Sequence, residues 1–154
     1  MNVAVIGASN KPERYSYQAV KLLAEKGHAV FPVHPAISEI DGMPVFKRLA
    51  NISVPIHTIT VYLAPERSAA LADEILAARS KRVIFNPGAE NQALVQRLQE
   101  TGVEAMNACT LVLLQTNQFS DIMISRQENG TFGNKKISTK DIAQEMRTLG
   151  ADNR

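Results

Sequence analysis

The sequence predicts an α/β protein with a doubly wound, Rossmann-like parallel sheet of about five strands and helices on both faces. Short apolar runs alternate along the chain with segments of helical periodicity. Most of these runs are continuously apolar, as expected for strands buried on both faces. A length of 154 residues is also ordinary for one domain. Repeated strand, helix, strand units predict right-handed crossovers within a single sheet.

Five runs are predicted as strands, since each is too short to form a helix. They are residues 3–6, 29–33, 58–63, 82–85 and 103–106. In a sheet of this class, ligands bind beyond the carboxyl ends of the strands, where the strand order reverses. The candidate binding loops are therefore residues 7–15, 33–44, 63–67, 86–91 and 107–110.

Three amphipathic helices are predicted between the strands. The first spans residues 16–26 and ends at Gly27, because glycine readily adopts the left-handed conformation that follows a helix. The apolar stripes are Val20, Leu23 and Ala24 in the first helix, Leu71, Ile75 and Leu76 in the second, and Leu94, Val95 and Leu98 in the third. Residues 44–50 are predicted as a short helical turn with Val45, Phe46 and Leu49 directed inward.

The alternating pattern ends near Phe119, which divides the chain into a domain of residues 1–118 and an extension of residues 119–154. The extension contains two turn signals, Asn129-Gly130 and Gly133-Asn134, followed by a capping candidate at Ser138 or Thr139. We expect a loop or hairpin and a short helix there, without an independent domain.

Composition excludes several classes of function. The formal net charge is +2, and no run of four Lys or Arg residues occurs, so we expect no nucleic-acid partner. No segment approaches the roughly 20 apolar residues of a membrane span, and the amino-terminal residues read as a strand instead of a signal peptide. The three histidines lack the spacing of a metal site. With a lone cysteine, which fits a reducing compartment, these features predict a cytoplasmic protein without a membrane partner.

The loop GASNKPERYSYQ, residues 7–18, follows the first strand where a nucleotide-binding protein carries a glycine-rich turn. The dinucleotide fingerprint would place its glycines at Gly7, Ser9 and Pro12, and only the first position satisfies it. The second strand ends FPVHP, with no carboxylate before Glu39 to hold the ribose of NAD. Lys11 and Arg14 favour a ligand with more negative charge. There is also no P-loop sequence for nucleotide hydrolysis.

These segments carry a resemblance to a known family. VAVIGASNKPERYSYQAVKLLAEKGHAVFPVHP, a later Gly-Met-Pro-Val segment and VYLAPE resemble the stand-alone CoA-binding domain family, which is related to the nucleotide-binding domain of the succinyl-CoA synthetase alpha subunit. The resemblance extends from about Asn2 to Gln118. It implies binding of coenzyme A through its 3′-phospho-ADP end.

The resemblance also implies which residues form the binding site. Backbone and hydroxyl donors to the pyrophosphate would come from Gly7, Ala8 and Ser9, and Lys11 and Arg14 would supply positive charge. Tyr15 and Ser16 would line the start of the helix. Val33, His34 and Pro35 would contact the ribose and adenine, and Leu63, Ala64 and Pro65 would form an apolar wall. A histidine in place of the ribose-binding carboxylate removes a repulsion from the 3′-phosphate of coenzyme A and can add a donor.

We therefore expect a coenzyme A or acyl-CoA binding protein without catalytic residues, acting as a carrier, sensor or partner subunit. Two alternatives stay open: an NAD(P)-binding redox sensor, and a nucleotide-binding subunit of a CoA ligase or transferase. Cys109 is expected to be a small buried residue, with a mixed disulfide to coenzyme A as the alternative. A homodimer or a protein partner is also compatible with the sequence.

Overall fold

The computed structural model describes residues 1–120, and its centre is a five-stranded parallel sheet. The strands of this sheet are β1 (Asn2–Ile6), β2 (Ala29–Val33), β5 (Thr58–Val61), β6 (Arg82–Phe85) and β7 (Glu104–Asn107). Their order is β2-β1-β5-β6-β7, and every neighbouring pair is parallel. The predicted doubly wound α/β fold is confirmed.

Helices cover both faces of this sheet. On one face lie α1 (Tyr15–Glu25) and α5 (Thr110–Gln115), and on the other lie α3 (Ala72–Ala77) and α4 (Gln92–Glu100). A further short helix, α2 (Pro65–Ala70), leads from β5 into α3. None of the helices within residues 1–120 has the length and apolar character that a bilayer span requires.

The two halves of the core follow from the alternation of side chains along each strand. In β1, Val3 and Val5 pack with α1 and α5, whereas Ala4 and Ile6 pack on the opposite side with α3 and α4. All four of these side chains are buried. The central strands are therefore apolar on both faces, which is why their sequences read as continuous apolar runs.

A small hairpin projects from the edge of the sheet after β2. It consists of β3 (Glu39–Ile40) and β4 (Met43–Pro44), joined through Asp41 and Gly42, both of which have positive φ. The Asp41 carboxylate accepts a hydrogen bond from the Tyr17 hydroxyl and lies 3.1 Å from Lys21 Nζ. These contacts fasten the hairpin to α1.

The predicted helical turn at residues 44–50 is wrong. The Phe46 N–H donates to the Pro32 carbonyl at 2.8 Å, and the Phe46 carbonyl accepts from the His34 N–H at 2.9 Å. This pairing with the edge strand β2 keeps the segment extended, and only Leu49–Asn51 forms a turn of 3₁₀ helix. The expectation that Ala24 faces inward is also wrong, since Ala24 is exposed and Ala19 fills the core instead.

Phe119, the first residue of the predicted extension, lies at the amino-terminal ends of the strands. Phe119 is buried, and its carbonyl accepts a hydrogen bond from Arg82 Nη1 at 2.6 Å. The Arg82 guanidinium also lies 4.3 Å from the centre of the Phe119 ring. Phe119 thus packs against the sheet-bearing unit, while the hairpin and helix expected further along lie in 121–154, outside the described residues.

Candidate functional site

A cleft opens where the strand order reverses, at the carboxyl ends of β1, β2 and β5. The chain passes from β1 to β2 on one side and later returns to β5 on the other. The cleft has a volume of about 430 Å³, within the range of roughly 300–1,000 Å³ typical of small-molecule sites. Its lining residues are Gly7, Ala8, Ser9, Asn10, Lys11, Arg14, Tyr15, Ser16, His34, Ile37, Tyr62, Leu63 and Arg67.

The floor of the cleft is the turn that follows β1, and it requires glycine at position 7. Gly7 has φ +83°, and an added Cβ would lie 2.6 Å from the Tyr62 carbonyl oxygen. The Gly7 and Ala8 N–H groups both donate to the Val33 carbonyl, at 3.1 and 3.3 Å. Both amides are therefore engaged by the fold itself, which joins the end of β2 to the floor.

The first wall is the loop that leads into α1. The Lys11 N–H donates to Ser9 Oγ at 3.1 Å, and the Arg14 N–H donates to the Lys11 carbonyl at 3.0 Å, so the loop is internally braced. Arg14 occupies the N-cap position of α1, and its side chain has no acceptor for the first N–H groups of the helix. The positive end of the helix dipole consequently faces the cleft together with a cationic loop.

The second wall carries His34, directly after β2. The Ala36 N–H donates to His34 Nδ1 at 3.0 Å, so in the neutral ring the proton lies on Nε2. Burial lowers the pKa of the His34 imidazole below its ordinary value, and the positive charge of Arg67 lowers it further. His34 therefore offers one N–H donor to the cleft near neutral pH.

Arg67 approaches from the opposite side, in the first turn of α2 after β5. Arg67 lines the cleft, and its charge acts on the His34 ring. Among residues 1–120, no carboxylate forms an ion pair with either Arg67 or Lys11. Both cations are thus available to an anion that enters the cleft.

Apolar contact is provided by Ile37, Tyr62 and Leu63. The ring of Tyr62 packs against the core beneath α1, and burial raises the pKa of its hydroxyl well above the ordinary value, with Cys109 adding to the effect. Cys109 is itself buried at the start of α5, as expected for a small core residue. Residues 1–120 contain no cluster of three His, Cys, Asp or Glu side chains that could hold a metal ion.

A buried polar network fixes the ends of the strands beside the cleft. Asn86 Nδ2 donates to Thr60 Oγ1 at 2.7 Å and to the Val61 carbonyl at 2.9 Å. Asn86 Oδ1 accepts from the Thr110 N–H at 2.8 Å. Since one side chain joins β5, the end of β6 and the start of α5, the loop after β5 begins from a rigid position.

The structure brings most of the expected site residues together at this cleft. Those that line it are Gly7, Ala8, Ser9, Lys11, Arg14, Tyr15, Ser16, His34 and Leu63. Four expected contacts, Val33, Pro35, Ala64 and Pro65, do not line the cleft. Val33 is buried in the core and contributes its carbonyl to the floor. Pro35 and Ala64 are exposed on the loops outside the lining, and Pro65 begins α2.

Four lining residues were not singled out from the sequence: Asn10, Ile37, Tyr62 and Arg67. Asn10, Ile37 and Arg67 fall within loops at the carboxyl edge of the predicted sheet, so their region was predicted although their side chains were not. Arg67 could have been predicted as an anion contact, because it is the one basic residue of the loop after the third predicted strand.

The fold is that of a Rossmann-like α/β domain with a cleft at the reversal of strand order. The CoA binding domain family model matches residues 1–115, and the chain belongs to that family. The matched region includes all the lining residues of the cleft.

The chain is also similar to a curated relative and to solved structures. The chain is 30% identical over 100 residues to the uncharacterized protein YneT of Bacillus subtilis (strain 168), a match that covers 65% of this chain and 74% of the relative. The crystal structure of an uncharacterized protein is 34% identical, with a TM-score of 0.70 over 77% of this chain and 97% of the other. A dinucleotide-forming acetyl-coenzyme A synthetase 1 from Ca. Korarchaeum cryptofilum shares the fold, with 19% identity, a TM-score of 0.60 and coverage of 68% of this chain and 25% of the synthetase.

Proposed function

We propose that this protein binds coenzyme A or an acyl-CoA through the 3′-phospho-ADP moiety in the cleft at the ends of β1, β2 and β5, and that it performs no chemistry of its own. It would act as a carrier, a sensor or a partner subunit in the cytoplasm. The observation that carries the proposal is that three features occur together. The chain belongs to the CoA binding domain family, the matched region contains a cleft at the reversal of strand order, and cationic side chains lie on two sides of this cleft.

The pyrophosphate is assigned to the wall formed by the loop before α1. Gly7 and Ala8 donate their N–H groups to Val33, so donors to the pyrophosphate would come from Ser9 onward and from the first turn of α1. Lys11 and Arg14 would supply the compensating charge. A helix N-terminus beside two cationic side chains is a favourable environment for phosphate.

The adenosine is assigned to the side of the cleft between β2 and β5. Ile37 and Leu63 supply an apolar surface for the adenine, and His34 faces the ribose. Val33, Pro35, Ala64 and Pro65 would support these contacts from outside the lining. In this proposal residues 1–118 form the binding unit.

Thermal unfolding with a panel of ligands tests the proposal. The panel consists of coenzyme A, dephospho-coenzyme A, ADP, NAD and NADP at equal concentrations. A ligand at 100 times its dissociation constant adds about 2.7 kcal/mol to the free energy of unfolding, so coenzyme A should give the largest rise in Tm. Stabilisation by NADP without stabilisation by coenzyme A would favour the redox-sensor alternative and reject the proposal.

The absence of catalysis needs a separate measurement. The purified 154-residue chain should show no acyl-CoA-dependent nucleotide turnover when assayed alone. Turnover by the purified chain would identify it as a CoA ligase or transferase component and would overturn the non-catalytic role while leaving coenzyme A binding intact.

A further inference from the structure

Two cationic regions of the cleft are separated by the end of β1. Lys11 and Arg14 lie on the loop that enters α1, whereas His34 follows β2 and Arg67 follows β5. Because β1 lies between β2 and β5 in the sheet, His34 and Arg67 reach the cleft from opposite sides of it. Both residues line the same cleft, and the charge of Arg67 acts on the His34 ring, so one phosphate could contact both.

We propose that His34 and Arg67 form a second phosphate subsite, which binds the phosphate carried by the ribose of the ligand. This inference rests on the proposed function, under which that group is the 3′-phosphate of coenzyme A. Arg67 would then be the specificity-determining residue that distinguishes coenzyme A from dephospho-coenzyme A. The first phosphate subsite, at the start of α1, would bind the pyrophosphate in both ligands.

The hydrogen bonds of His34 support this assignment. Its backbone N–H donates to the Phe46 carbonyl at 2.9 Å, and its Nδ1 accepts from the Ala36 N–H at 3.0 Å. The first contact fixes the backbone and the second fixes the ring, so the remaining ring nitrogen, Nε2, carries the proton in the neutral imidazole. The side chain is therefore held in advance as a donor, in the position where NAD-binding sheets place a carboxylate for the ribose hydroxyls.

Arg67 supplies the positive charge and the paired N–H donors that the neutral His34 ring lacks. A guanidinium presents parallel N–H donors that fit two oxygens of one phosphate. No carboxylate within residues 1–120 forms an ion pair with Arg67. The positive charge of Arg67 lowers the pKa of the His34 ring. A phosphate dianion between them would accept hydrogen bonds from both side chains and neutralise the charge of Arg67. A ligand without the ribose phosphate leaves that charge uncompensated.

The fold holds α2, and with it Arg67, in a defined position. Asn91 Nδ2 donates to Ser68 Oγ at 3.0 Å and to the Pro65 carbonyl at 3.2 Å, which ties α2 to the start of α4. The Ser68 side chain is buried beneath the helix. Arg67 thus projects from a supported turn, and its side chain is exposed, so replacing it should leave the fold intact.

Calorimetric titrations of coenzyme A and dephospho-coenzyme A test the subsite. Wild-type protein should prefer coenzyme A by about tenfold to a hundredfold, the range expected for charge-assisted hydrogen bonds. Arg67→Gln should remove most of this preference by weakening coenzyme A alone, and Arg67→Lys should restore part of it. Lys81→Gln removes an equal charge at the amino-terminal edge of the sheet, where Lys81 is exposed, and should leave the preference unchanged.

Each other outcome has a definite meaning. An unchanged preference in Arg67→Gln, or an equal loss of affinity for both ligands, overturns the subsite. Failure of the wild-type protein to bind either form of coenzyme A rejects the proposed function. If NADP then binds more tightly than NAD and Arg67→Gln removes that difference, the ribose-phosphate subsite stands with a different ligand.

Discussion

Gly7 is required by both its conformation and its surroundings. With φ +83° and the Tyr62 carbonyl oxygen 2.6 Å from an added Cβ, Gly7→Ala should lower the free energy of unfolding by roughly 2–4 kcal/mol, through backbone strain and overpacking together. Gly27→Ala is the matched control, since Gly27 has φ +88° and no described atom within 4 Å of an added Cβ. That variant should lose only about 1–2 kcal/mol.

Denaturant unfolding of both variants measures this difference. Equal losses in Gly7→Ala and Gly27→Ala would show that the close approach of Tyr62 costs nothing, and that the floor of the cleft tolerates a side chain.

Lys11 tests the electrostatics of the first phosphate subsite. Lys11→Glu should weaken coenzyme A binding at least tenfold, because it replaces a charge-assisted contact by a repulsion. The residue is exposed, so the free energy of unfolding should change by no more than about 0.5 kcal/mol. Lys47→Glu makes the same change of charge at an exposed residue outside the cleft lining. Equal affinities of the two variants for coenzyme A would exclude Lys11 as a ligand contact.

At the scale of single residues, the sequence indicates loops better than individual contacts. The family resemblance and the strand pattern placed residues 7–16 and His34 in the cleft region. They could not reveal that the Gly7 and Ala8 amides are bonded to Val33, or that Ile37 lines the cleft. Those facts depend on how three loops approach one another in space, which periodicity does not encode.

Asn91 connects the start of α4 to α2. Its Oδ1 accepts from the Leu94 N–H at 3.1 Å, and its Nδ2 donates to Ser68 Oγ and the Pro65 carbonyl. Asn91→Ala should lower the free energy of unfolding by about 1–2 kcal/mol, since it removes the cap of α4 and leaves partners in α2 unpaired.

Asn91→Ser provides the comparison in a denaturant titration. Serine can cap α4 but is too short to replace the amide donor to α2, so it should recover part of the loss. Full recovery by serine would mean that the link between α4 and α2 contributes nothing.

At the scale of elements, the strands of the sheet and the amphipathic helices were predictable, whereas very short or uniformly apolar elements were not. β2 and β6 match their predicted ranges, and α1 is displaced by one residue. The β3–β4 hairpin was missed, although Asp41-Gly42 is a strong turn signal, because its strands have only two residues each. α5 was also missed, since its run TLVLLQ is apolar on nearly all sides and shows no helical stripe.

The whole molecule should lose stability in mildly acidic solution. Burial is the main cause that lowers the pKa of His28, His34 and His57 in the folded protein. The unfolded chain then binds more protons than the folded one just below pH 6.5, so the free energy of unfolding should fall as the pH decreases from about 6.5. Denaturant midpoints at pH 7.5, 6.5 and 5.5 measure this slope, and a midpoint that rises toward pH 5.5 would contradict the assigned shifts.

At the scale of the molecule, general rules of parallel sheets predicted a doubly wound sheet, and residues 1–120 form one. The order of its strands was not predicted. Those rules also gave five candidate loops at the carboxyl ends of the strands. Three of them line the cleft, whereas residues 86–91 and 107–110 do not. The division at residue 118 stays a prediction. Phe119 packs on the sheet through Arg82, a contact between distant parts of the chain that no local pattern signals.

The central claim, coenzyme A bound at the reversal of strand order, is tested most directly by titrating the isotopically labelled protein with coenzyme A and following its backbone amide resonances. The largest shifts should lie in residues 7–16, 34–37 and 62–67, with little change at the amino-terminal edge around Lys81 and Arg82. No saturable shift at millimolar coenzyme A, or shifts confined to residues outside these three loops, would contradict the account.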